Sequence, residues 1–311
     1  MKTNPTTRWR LAAAAGVLAI SGGLMMAPPA SAVEDDHRVV VYYQTQYNNG
    51  QYVSPKPLTD RRTGVTHLIV AAIHVNGTPG DIKLNDDAPS DAKFDPMWQD
   101  LAGMKRNGVK VLGMLGGAAQ GSYQRLEPET FDTYYPALKA MIGKYGFDGL
   151  DLDVEENMSL TGIENLIDHL KLDFGKSFII TLAPVATALA AGGNLSGFDY
   201  DQLYRGRATS INWFNTQFYC GWGSLSSTAG YEAIIGRGVV PASKVVAGTY
   251  TTTEGCSGYV PMPTLKTTIK SLTRIYPDFG GVASWEYFNS LPGGTNAPWE
   301  WARHVSRAMK P

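Results

Sequence analysis

Residues 147–156 read Phe-Asp-Gly-Leu-Asp-Leu-Asp-Val-Glu-Glu, and this stretch decides the fold. In a β-strand over 149–155, side chains alternate between two faces, so Asp151, Asp153 and Glu155 share one face and apolar residues share the other. Successive acids then lie roughly 6.6 Å apart, twice the rise per residue. A surface strand with its acids in water would show the same alternation, so the flanking sequence has to decide between the two interpretations.

The flanking sequence favours a buried parallel strand. One amphipathic helical pattern precedes the stretch and another follows it, and Gly146 and Gly149 lie at its start. In a closed barrel, such a strand has one face against the helices and the other toward the lumen, so the acids point inward. Burial of like charges pushes their pKa values apart, and one carboxyl can then stay protonated near neutral pH and act as an acid.

Eight apolar runs alternate with helical segments along the chain. The predicted strands are 39–43, 67–75, 110–115, 149–155, 178–183, 211–219, 245–250 and 281–285. Clear helical patterns cover 96–106, 131–145, 160–174, 228–235, 263–276 and 298–309. We therefore predict an α/β fold, a single (β/α)8 TIM barrel over residues 33–311, with catalytic groups at the C-terminal strand ends. A doubly wound open sheet is the alternative.

Residues 1–32 have the pattern of a secretory signal peptide. A basic region that contains Lys2 and Arg8 precedes an apolar region over 11–26, and Ala30-Ser31-Ala32 fits a small-residue cleavage site. A membrane anchor is the alternative, but the apolar run is short for a bilayer span and is interrupted by glycine and serine. We predict a secreted mature protein that begins near Val33 and has no membrane partner after cleavage.

Composition and spacing narrow the possible partners. The formal net charge is −1 and no basic stripe is present, so a nucleic-acid partner is not expected. The two cysteines, Cys220 and Cys256, predict a disulfide, the usual state of a cysteine pair in an exported chain, and buried free thiols are the alternative. The five histidines lack metal-ligand spacing, and no complete phosphate-binding loop or nucleophile elbow is found. We predict no metal, no cofactor and a monomer.

Other strand ends carry polar or aromatic residues, as a barrel active site requires. Asn215, Gln217 and Tyr219 share one face of the sixth strand. The further candidates are Tyr43 and Gln44 at the end of the first strand, His74 in the second, Gly116 in the third, and Trp285 and Glu286 in the eighth. A flat aromatic floor suits the apolar face of a sugar. Together these residues predict a pocket for a polar, ring-shaped ligand.

The pattern Asp148-x-x-Asp151-x-Asp153-x-Glu155 resembles the signature of glycoside hydrolase family 18, which contains chitinases and endo-β-N-acetylglucosaminidases. The resemblance implies a (β/α)8 barrel and retaining hydrolysis in which the acetamido group of the substrate attacks the anomeric carbon. By position, it implies that Glu155 is the general acid and base, that Asp153 orients the acetamido group, and that Asp151 shares a proton with Asp153. It also implies that Tyr219 bonds the acetamido group and that Trp285 forms the floor.

Within the family, the chain is similar to secreted fungal endo-β-N-acetylglucosaminidases, which release N-glycans between the two core N-acetylglucosamines. The likeness runs from residues 40–45 to residues 285–302. Met114, where many chitinases have serine, and Cys220, where many have Asp or Asn, argue against a chitinase. We expect an N-glycan substrate. The alternatives are a chitinase and an inactive sugar-binding protein, but the latter would be expected to lack Glu155.

Overall fold

Eight parallel strands close into a barrel in the computed structural model, which describes Met1 and residues 37–310. The strands are β1 (Arg38–Tyr43), β2 (His67–Val75), β3 (Lys110–Gly116), β4 (Gly149–Asp153), β5 (Ile179–Leu182), β6 (Trp213–Gln217), β7 (Val245–Tyr250) and β8 (Gly281–Trp285). Each strand pairs with the next, and β8 pairs with β1. The predicted TIM barrel is confirmed. Apart from Met1, the predicted signal peptide lies outside the described residues.

Nine α-helices accompany the barrel within the described residues. They are α1 (Pro57–Asp60), α2 (Asp95–Arg106), α3 (Phe131–Tyr145), α4 (Leu160–Phe174), α5 (Ala186–Leu189), α6 (Tyr200–Arg207), α7 (Ala229–Ile235), α8 (Met262–Ile275) and α9 (Glu300–Met309). A short strand, Ile82–Leu84, runs antiparallel to β2, and a small hairpin joins Tyr47–Asn48 to Gln51–Tyr52. No helix in this part of the chain has both the length and the apolar character needed to cross a bilayer.

The six predicted helices are confirmed, but α1, α5 and α6 were not predicted. Four-residue helices such as α1 and α5 are too short to show a helical period. The α6 sequence is mostly polar, and only Tyr200 and Leu203 are buried. Its start did carry a signal, because the Asp199 side chain caps the helix by accepting from the backbone N–H groups of Asp201 and Gln202.

The helices on either side of β4 have well-defined ends. Helix α3 ends at Gly146, whose φ of +62° is the left-handed conformation that glycine adopts readily. Helix α4 begins after Ser159, whose hydroxyl accepts from the Gly162 N–H at 2.9 Å. Before β4, the Asp148 carboxylate accepts from the Val111 N–H at 2.8 Å. These contacts fix the register at which β4 enters the barrel.

Two cores lie on the two sides of the barrel wall. Leu150 and Leu152 of β4 belong to the larger core. A smaller core contains the lumen-facing Tyr42 and Met114. Asp151 and Asp153 alternate with the leucines of β4, so their side chains lie on the lumen side with the smaller core.

Two strands are shorter than predicted at their C-terminal ends. Strand β4 ends at Asp153, where its pairing with Gly116 of β3 is the last along that edge. Strand β6 ends at Gln217. The prediction that Glu155 and Tyr219 belong to these strands is therefore wrong. Strand β4 stops because β3 and β5, its neighbours, end at Gly116 and Leu182. The end of β5 also leaves β6 without a paired strand on that side. Both residues lie just beyond the barrel rim.

The predicted disulfide is confirmed, since Cys220 and Cys256 are bonded and join the loops after β6 and β7. We expect the Cys220→Ser, Cys256→Ser double variant to lose roughly 2–4 kcal/mol of unfolding free energy, because the bond restricts the unfolded chain. Urea denaturation of the two proteins measures this difference. Wild type in reductant is the matched control and should show the same loss. Equal midpoints, or two titratable thiols in native wild type, would contradict the prediction.

Candidate active site

A cavity of about 420 Å³ opens at the C-terminal end of the barrel, and we call it the catalytic cavity. Most of its lining residues lie at the C-terminal ends of the strands or in the loops that follow them, where a TIM barrel places its active site. Eight of the predicted site residues line it: Gln44, His74, Gly116, Asp153, Glu155, Gln217, Tyr219 and Trp285. Cys220 lines it as well, so the disulfide anchors one side of the cavity.

Asp151 lies one layer below the cavity and is fully buried. One carboxylate oxygen accepts from the Tyr42 hydroxyl at 2.7 Å. The other accepts from the Thr181 hydroxyl at 2.5 Å and from the Asn215 amide at 3.0 Å. Burial raises the pKa of Asp151, and the three hydrogen bonds act in the opposite direction because they stabilise the anion. The lumen therefore holds this carboxyl in one fixed position.

Asp153 and Glu155 are linked by a single amide. The Gln217 side-chain nitrogen lies 3.2 Å from Asp153 Oδ1 and 3.3 Å from Glu155 Oε1, and it also donates to the Ala183 carbonyl at 2.8 Å. Asp153 is 5% exposed, whereas Glu155 is half-buried at the rim. One buried carboxyl and one accessible carboxyl thus accept hydrogen bonds from the same Gln217 amide.

Electrostatics raises the pKa of Asp153 well above that of an ordinary aspartate. Burial is the largest cause, followed by the negative charges of Glu155 and Asp151. Asp153 therefore retains a proton at pH values where an exposed aspartate is ionised. Among the contacts of the described residues, no hydrogen bond joins Asp151 directly to Asp153, so the proton shared by these two groups stays a prediction.

Aromatic side chains form the walls of the cavity. Trp285 is half-buried and packs edge-on against Tyr42, with ring centroids 5.4 Å apart. Tyr219 is buried, and within the described part of the chain its hydroxyl has no hydrogen-bond partner, so it is free to bond a ligand. Trp222 lines the cavity from the loop that contains Cys220. Hydroxyl and indole groups thus surround the acids.

Glycine at the end of β3 lets that strand approach β4 closely. Gly116 has φ +85°, and a Cβ there would lie 2.4 Å from the Tyr123 ring and 2.6 Å from the Asp153 carbonyl oxygen. The next residue, Gly117, donates its N–H to the same carbonyl at 2.9 Å. The buried Glu156 carboxylate accepts from the backbone N–H groups of Gly121 and Tyr123. The loop after β3 is therefore fixed around the acids.

Three predicted substrate contacts do not lie at the cavity. Tyr43 faces the larger core, and its hydroxyl donates to the Val53 carbonyl at 2.6 Å. Glu286 accepts from the Gln44 and Thr45 N–H groups, so it fixes the loop after β1. Asn215 lies deeper and bonds Asp151, as described above. None of the three lines the catalytic cavity, and their polar atoms are bonded inside the protein. Substrate contacts by these residues stay a prediction.

Sequence reasoning missed Tyr42, Thr181 and Trp222. Tyr42 is one residue from the predicted Tyr43, but all of residues 39–43 are buried, so alternation alone did not show which face meets the lumen. Thr181 lies inside a predicted strand, where threonine is common. Trp222 lies two residues after Cys220 and could have been found from its position in the loop after the sixth strand.

No metal centre is indicated in the part of the chain that the structure describes, because no group of three His, Cys, Asp or Glu side chains there could hold an ion. Chemistry at this site is assigned to the carboxyl, amide and hydroxyl groups that line it. A buried acid next to an accessible acid, with aromatic walls on a TIM barrel, defines a carbohydrate-active hydrolase.

The chain belongs to glycosyl hydrolases family 18, whose model matches residues 38–260. A fungal endo-beta-N-acetylglucosaminidase of this family is 45% identical, with a TM-score of 0.84 over 88% of this chain and 98% of that chain. Chitinase ChiC from Aspergillus fumigatus is 51% identical, with a TM-score of 0.81 over 88% of this chain and all of that chain.

Two curated relatives are chitinases, and both are longer than the part that matches this chain. Chitinase 2 from Rhizopus oligosporus is 28% identical over 248 residues, which is 71% of this chain and 44% of that protein. Chitinase Chi52 from Paenibacillus xylanexedens is 35% identical over 124 residues, 35% of this chain and 23% of that protein. The chain thus spans less than half the length of these relatives. The predicted recognition of family 18 is confirmed.

The raised pKa of Asp153 predicts how stability depends on pH. A group with a raised folded-state pKa contributes stability that is fully present below its unfolded pKa, about 3.9 for Asp. That contribution is lost as pH rises through the folded-state pKa, because the charged form is buried. We expect Asp153→Asn, which cannot ionise, to become progressively more stable than wild type as pH rises above about 4.

Thermal denaturation between pH 4 and pH 8 tests this expectation on wild type and Asp153→Asn. Glu254→Gln is the matched control, because Glu254 is an exposed carboxylate and its replacement should leave the pH profile of wild type unchanged. Stability curves for Asp153→Asn and wild type that run parallel across this range would show that Asp153 does not hold its proton.

Proposed function

We propose that the protein is a mannosyl-glycoprotein endo-β-N-acetylglucosaminidase. It hydrolyses the β-1,4 bond between the two core N-acetylglucosamines of N-glycans, with retention of configuration. The observation that carries this proposal is the shared contact of Asp153 and Glu155 with the Gln217 amide at the floor of an aromatic cavity. A deep acid and a rim acid on one donor are suited to substrate-assisted hydrolysis.

The position of Asp153 supports a nucleophile from the substrate. Asp153 is 5% exposed and its carboxyl is held by Gln217, so it is placed to meet an N-acetyl group rather than to attack the sugar ring. In the first step, the acetamido oxygen forms a bond to the anomeric carbon while the glycosidic bond breaks. Glu155 gives its proton to the leaving oxygen, as a general acid does. The product is an oxazolinium ion on the bound sugar.

A single proton shared by Asp153 and Glu155 is compatible with a general acid and an electrostatic stabiliser in the same site. When Glu155 carries the proton, one of the charges that raise the pKa of Asp153 is removed, which favours the Asp153 anion. An anionic Asp153 stabilises the positive charge that grows on the acetamide. In the second step, Glu155 accepts a proton from water, the water oxygen bonds the anomeric carbon, and the acetamide is released. Retention follows from the two inversions.

The arrangement of aromatic residues supports a short substrate over a long polymer. Tyr219, Trp222 and Trp285 are gathered around the acids at one cavity. Among the described residues, every aromatic side chain is buried or half-buried, which supports a compact binding site. The 45% identity to a fungal endo-beta-N-acetylglucosaminidase supports the same substrate.

Chitin cleavage by the same mechanism is the second candidate. The 51% identity to chitinase ChiC and the chitinase names of the curated relatives favour it. Glu155, Asp153 and Tyr219 are all present at the cavity, which argues against an inactive sugar-binding protein. The proposal also includes secretion of the chain from Val33 onward as a monomer, and the disulfide supports an oxidising compartment.

Replacement of Glu155 by Gln should lower kcat by about 10²- to 10⁴-fold, because an amide of the same shape cannot donate the proton. Hydrolysis of an N-glycan and of a chitin oligosaccharide, together with thermal denaturation, measures the effect. The matched control is Glu129→Gln, an exposed glutamate that should keep full activity. If the Glu155→Gln variant had wild-type activity, Glu155 could not be the general acid.

The two candidate substrates are separated by their products. We expect a high-mannose glycoprotein to lose a glycan that ends in one N-acetylglucosamine, with the other N-acetylglucosamine left on asparagine. Mass spectrometry of the glycan and of the protein identifies this cut. Release of chitobiose from chitin oligosaccharides, with the glycoprotein unchanged, would overturn the N-glycan proposal in favour of the chitinase. Glycosides without the N-acetyl group should not be turned over.

A further inference from the structure

A cavity of about 660 Å³, which we call the basal cavity, lies at the end of the barrel opposite to the catalytic cavity. It is lined by the C-terminal parts of α8 and α9 and by residues that precede β1 and β8. In a TIM barrel these parts of the chain meet at the N-terminal face. Among the described residues, none lines both cavities. The volume of the basal cavity is within the range of small-ligand sites.

Four cationic side chains surround the basal cavity: Lys270 and Arg274 from α8, Arg307 from α9, and Lys310 directly after α9. All four are exposed, and their side chains make no hydrogen bond or ion pair with another described residue. No acidic side chain in this part of the chain lines the cavity. His37 also lines it, and its Nδ1 donates to the Phe279 carbonyl at 2.6 Å.

Compensation of helix dipoles does not account for this number of cations. The C-terminus of a helix carries about half a negative charge, so the ends of α8 and α9 together supply about one. The four cationic side chains exceed that charge. Like charges held close together repel one another and destabilise the folded chain, whereas a bound anion would stabilise it. The cluster therefore has the charge pattern of an anion site.

The positive potential extends along the junction of α8 and α9. Helix α8 contains no acidic residue, and Glu300 of α9 is paired with Arg303. Burial is the largest cause of the lowered pKa of His304, and the charges of Lys266 and Arg307 lower it further, whereas Glu300 acts in the opposite direction. The surroundings of the basal cavity therefore disfavour a further cation and favour an anion.

The sequence does not show this cluster as a basic stripe, because its cations come from two helices that are distant in the chain. Lys270 and Arg274 are one helical turn apart, so they share a face of α8. Packing of α8 against α9 then brings this pair next to Arg307 and Lys310. The basic surface is thus a product of the fold.

The lining of the basal cavity matches a phosphorylated sugar. Guanidinium and ammonium groups bind phosphate oxygens, and a phosphate ester can carry two negative charges where a carboxylate carries one. The Thr273 hydroxyl can bond a sugar hydroxyl. Pro277, Ala308 and Met309 supply an apolar part of the lining, which suits the C–H groups of a sugar ring. The cavity is also larger than a single phosphate requires.

We propose that the basal cavity binds the phosphate group of a phosphorylated saccharide. The guanidinium groups of Arg274 and Arg307 and the ammonium groups of Lys270 and Lys310 contact the phosphate oxygens. The site goes beyond the proposed function and does not depend on it. Because the basal cavity lies at the other end of the barrel, an enzyme held there on an anionic glycan keeps its catalytic cavity free.

Titration calorimetry on the full chain at low ionic strength tests the site with three probes: mannose 6-phosphate, mannose and inorganic phosphate. We expect mannose 6-phosphate to bind about tenfold more tightly than inorganic phosphate, because its sugar also contacts the lining, and mannose to show no binding at the same concentrations. Salt should weaken the binding of mannose 6-phosphate, because the cationic side chains are exposed.

The Arg274→Gln, Arg307→Gln double variant should lose about tenfold or more in affinity for mannose 6-phosphate, because two charge-assisted contacts are removed. The matched control is Arg106→Gln, an exposed arginine in the last turn of α2 at the same end of the barrel, which should keep wild-type affinity. Hydrolysis of the N-glycan and of the chitin oligosaccharide by the double variant should equal that of wild type, which also shows that the variant is folded.

Absence of saturable mannose 6-phosphate binding, or unchanged affinity in the double variant, would overturn the site. Equal affinity for inorganic phosphate, or stronger binding to vesicles that contain phosphatidic acid, would overturn the saccharide as its ligand. Glu34, Asp35 and Asp36 precede His37 in the sequence and lie outside the described residues. Binding that appears only after Glu34→Gln, Asp35→Asn and Asp36→Asn would show that the chain's own acids neutralise the cavity, against the proposal.

The binding and hydrolysis experiments fail independently. Mannose 6-phosphate binding that depends on Arg274 and Arg307 would support the basal site even if the glycoprotein is not cleaved. Cleavage of the glycoprotein without binding of mannose 6-phosphate would support the proposed function and overturn the basal site.

Discussion

The active end of this barrel depends on how Asp151 is kept buried. An unpaired buried carboxylate costs several kcal/mol, whereas one that accepts hydrogen bonds can be tolerated. Here three strands supply the donors, through Tyr42, Thr181 and Asn215. The Asn215 amide is itself oriented by the Trp213 indole N–H, which donates to its oxygen at 2.9 Å. The same contacts that satisfy the acid therefore hold β1, β5 and β6 in position around β4.

The Asp151 carboxyl beneath the cavity contributes to the raised pKa of Asp153, which lines the cavity. Asp153 has fewer donors than Asp151, and it lies between two other carboxyls, so its burial is less well compensated. A proton is the remaining means of lowering that cost, which is why the pKa of Asp153 rises. Because Glu155 is at the rim and Asp153 is below it, the proposed mechanism assigns the acid role to Glu155 and the electrostatic role to Asp153. The two carboxyls differ in their surroundings because they lie at different depths in the barrel.

The fold could be predicted from the sequence because each strand is marked by a local pattern of apolar and polar residues. Alternation in β4 gave the inward face of Asp151 and Asp153, and glycine and capping residues marked the adjacent helix ends. Strand ends were predicted less well, since they depend on where the neighbouring strand stops. The face of Tyr42 was not predictable from an apolar strand that is buried on both sides. Glu286 was assigned to the ligand because its backbone partners come from a distant loop.

Loops explain how one family can act on different saccharides. The acids, Gln217 and Tyr219 come from the ends of β4 and β6. A neighbouring cavity of about 500 Å³ is built instead by the segments after β1 and β2, whose Asn85 and Asp86 carry no strand periodicity. Changes in those segments alter the surroundings of the catalytic cavity and leave the lumen donors of Asp151 intact. Selectivity can therefore diverge while the buried network, which is costly to rearrange, stays the same.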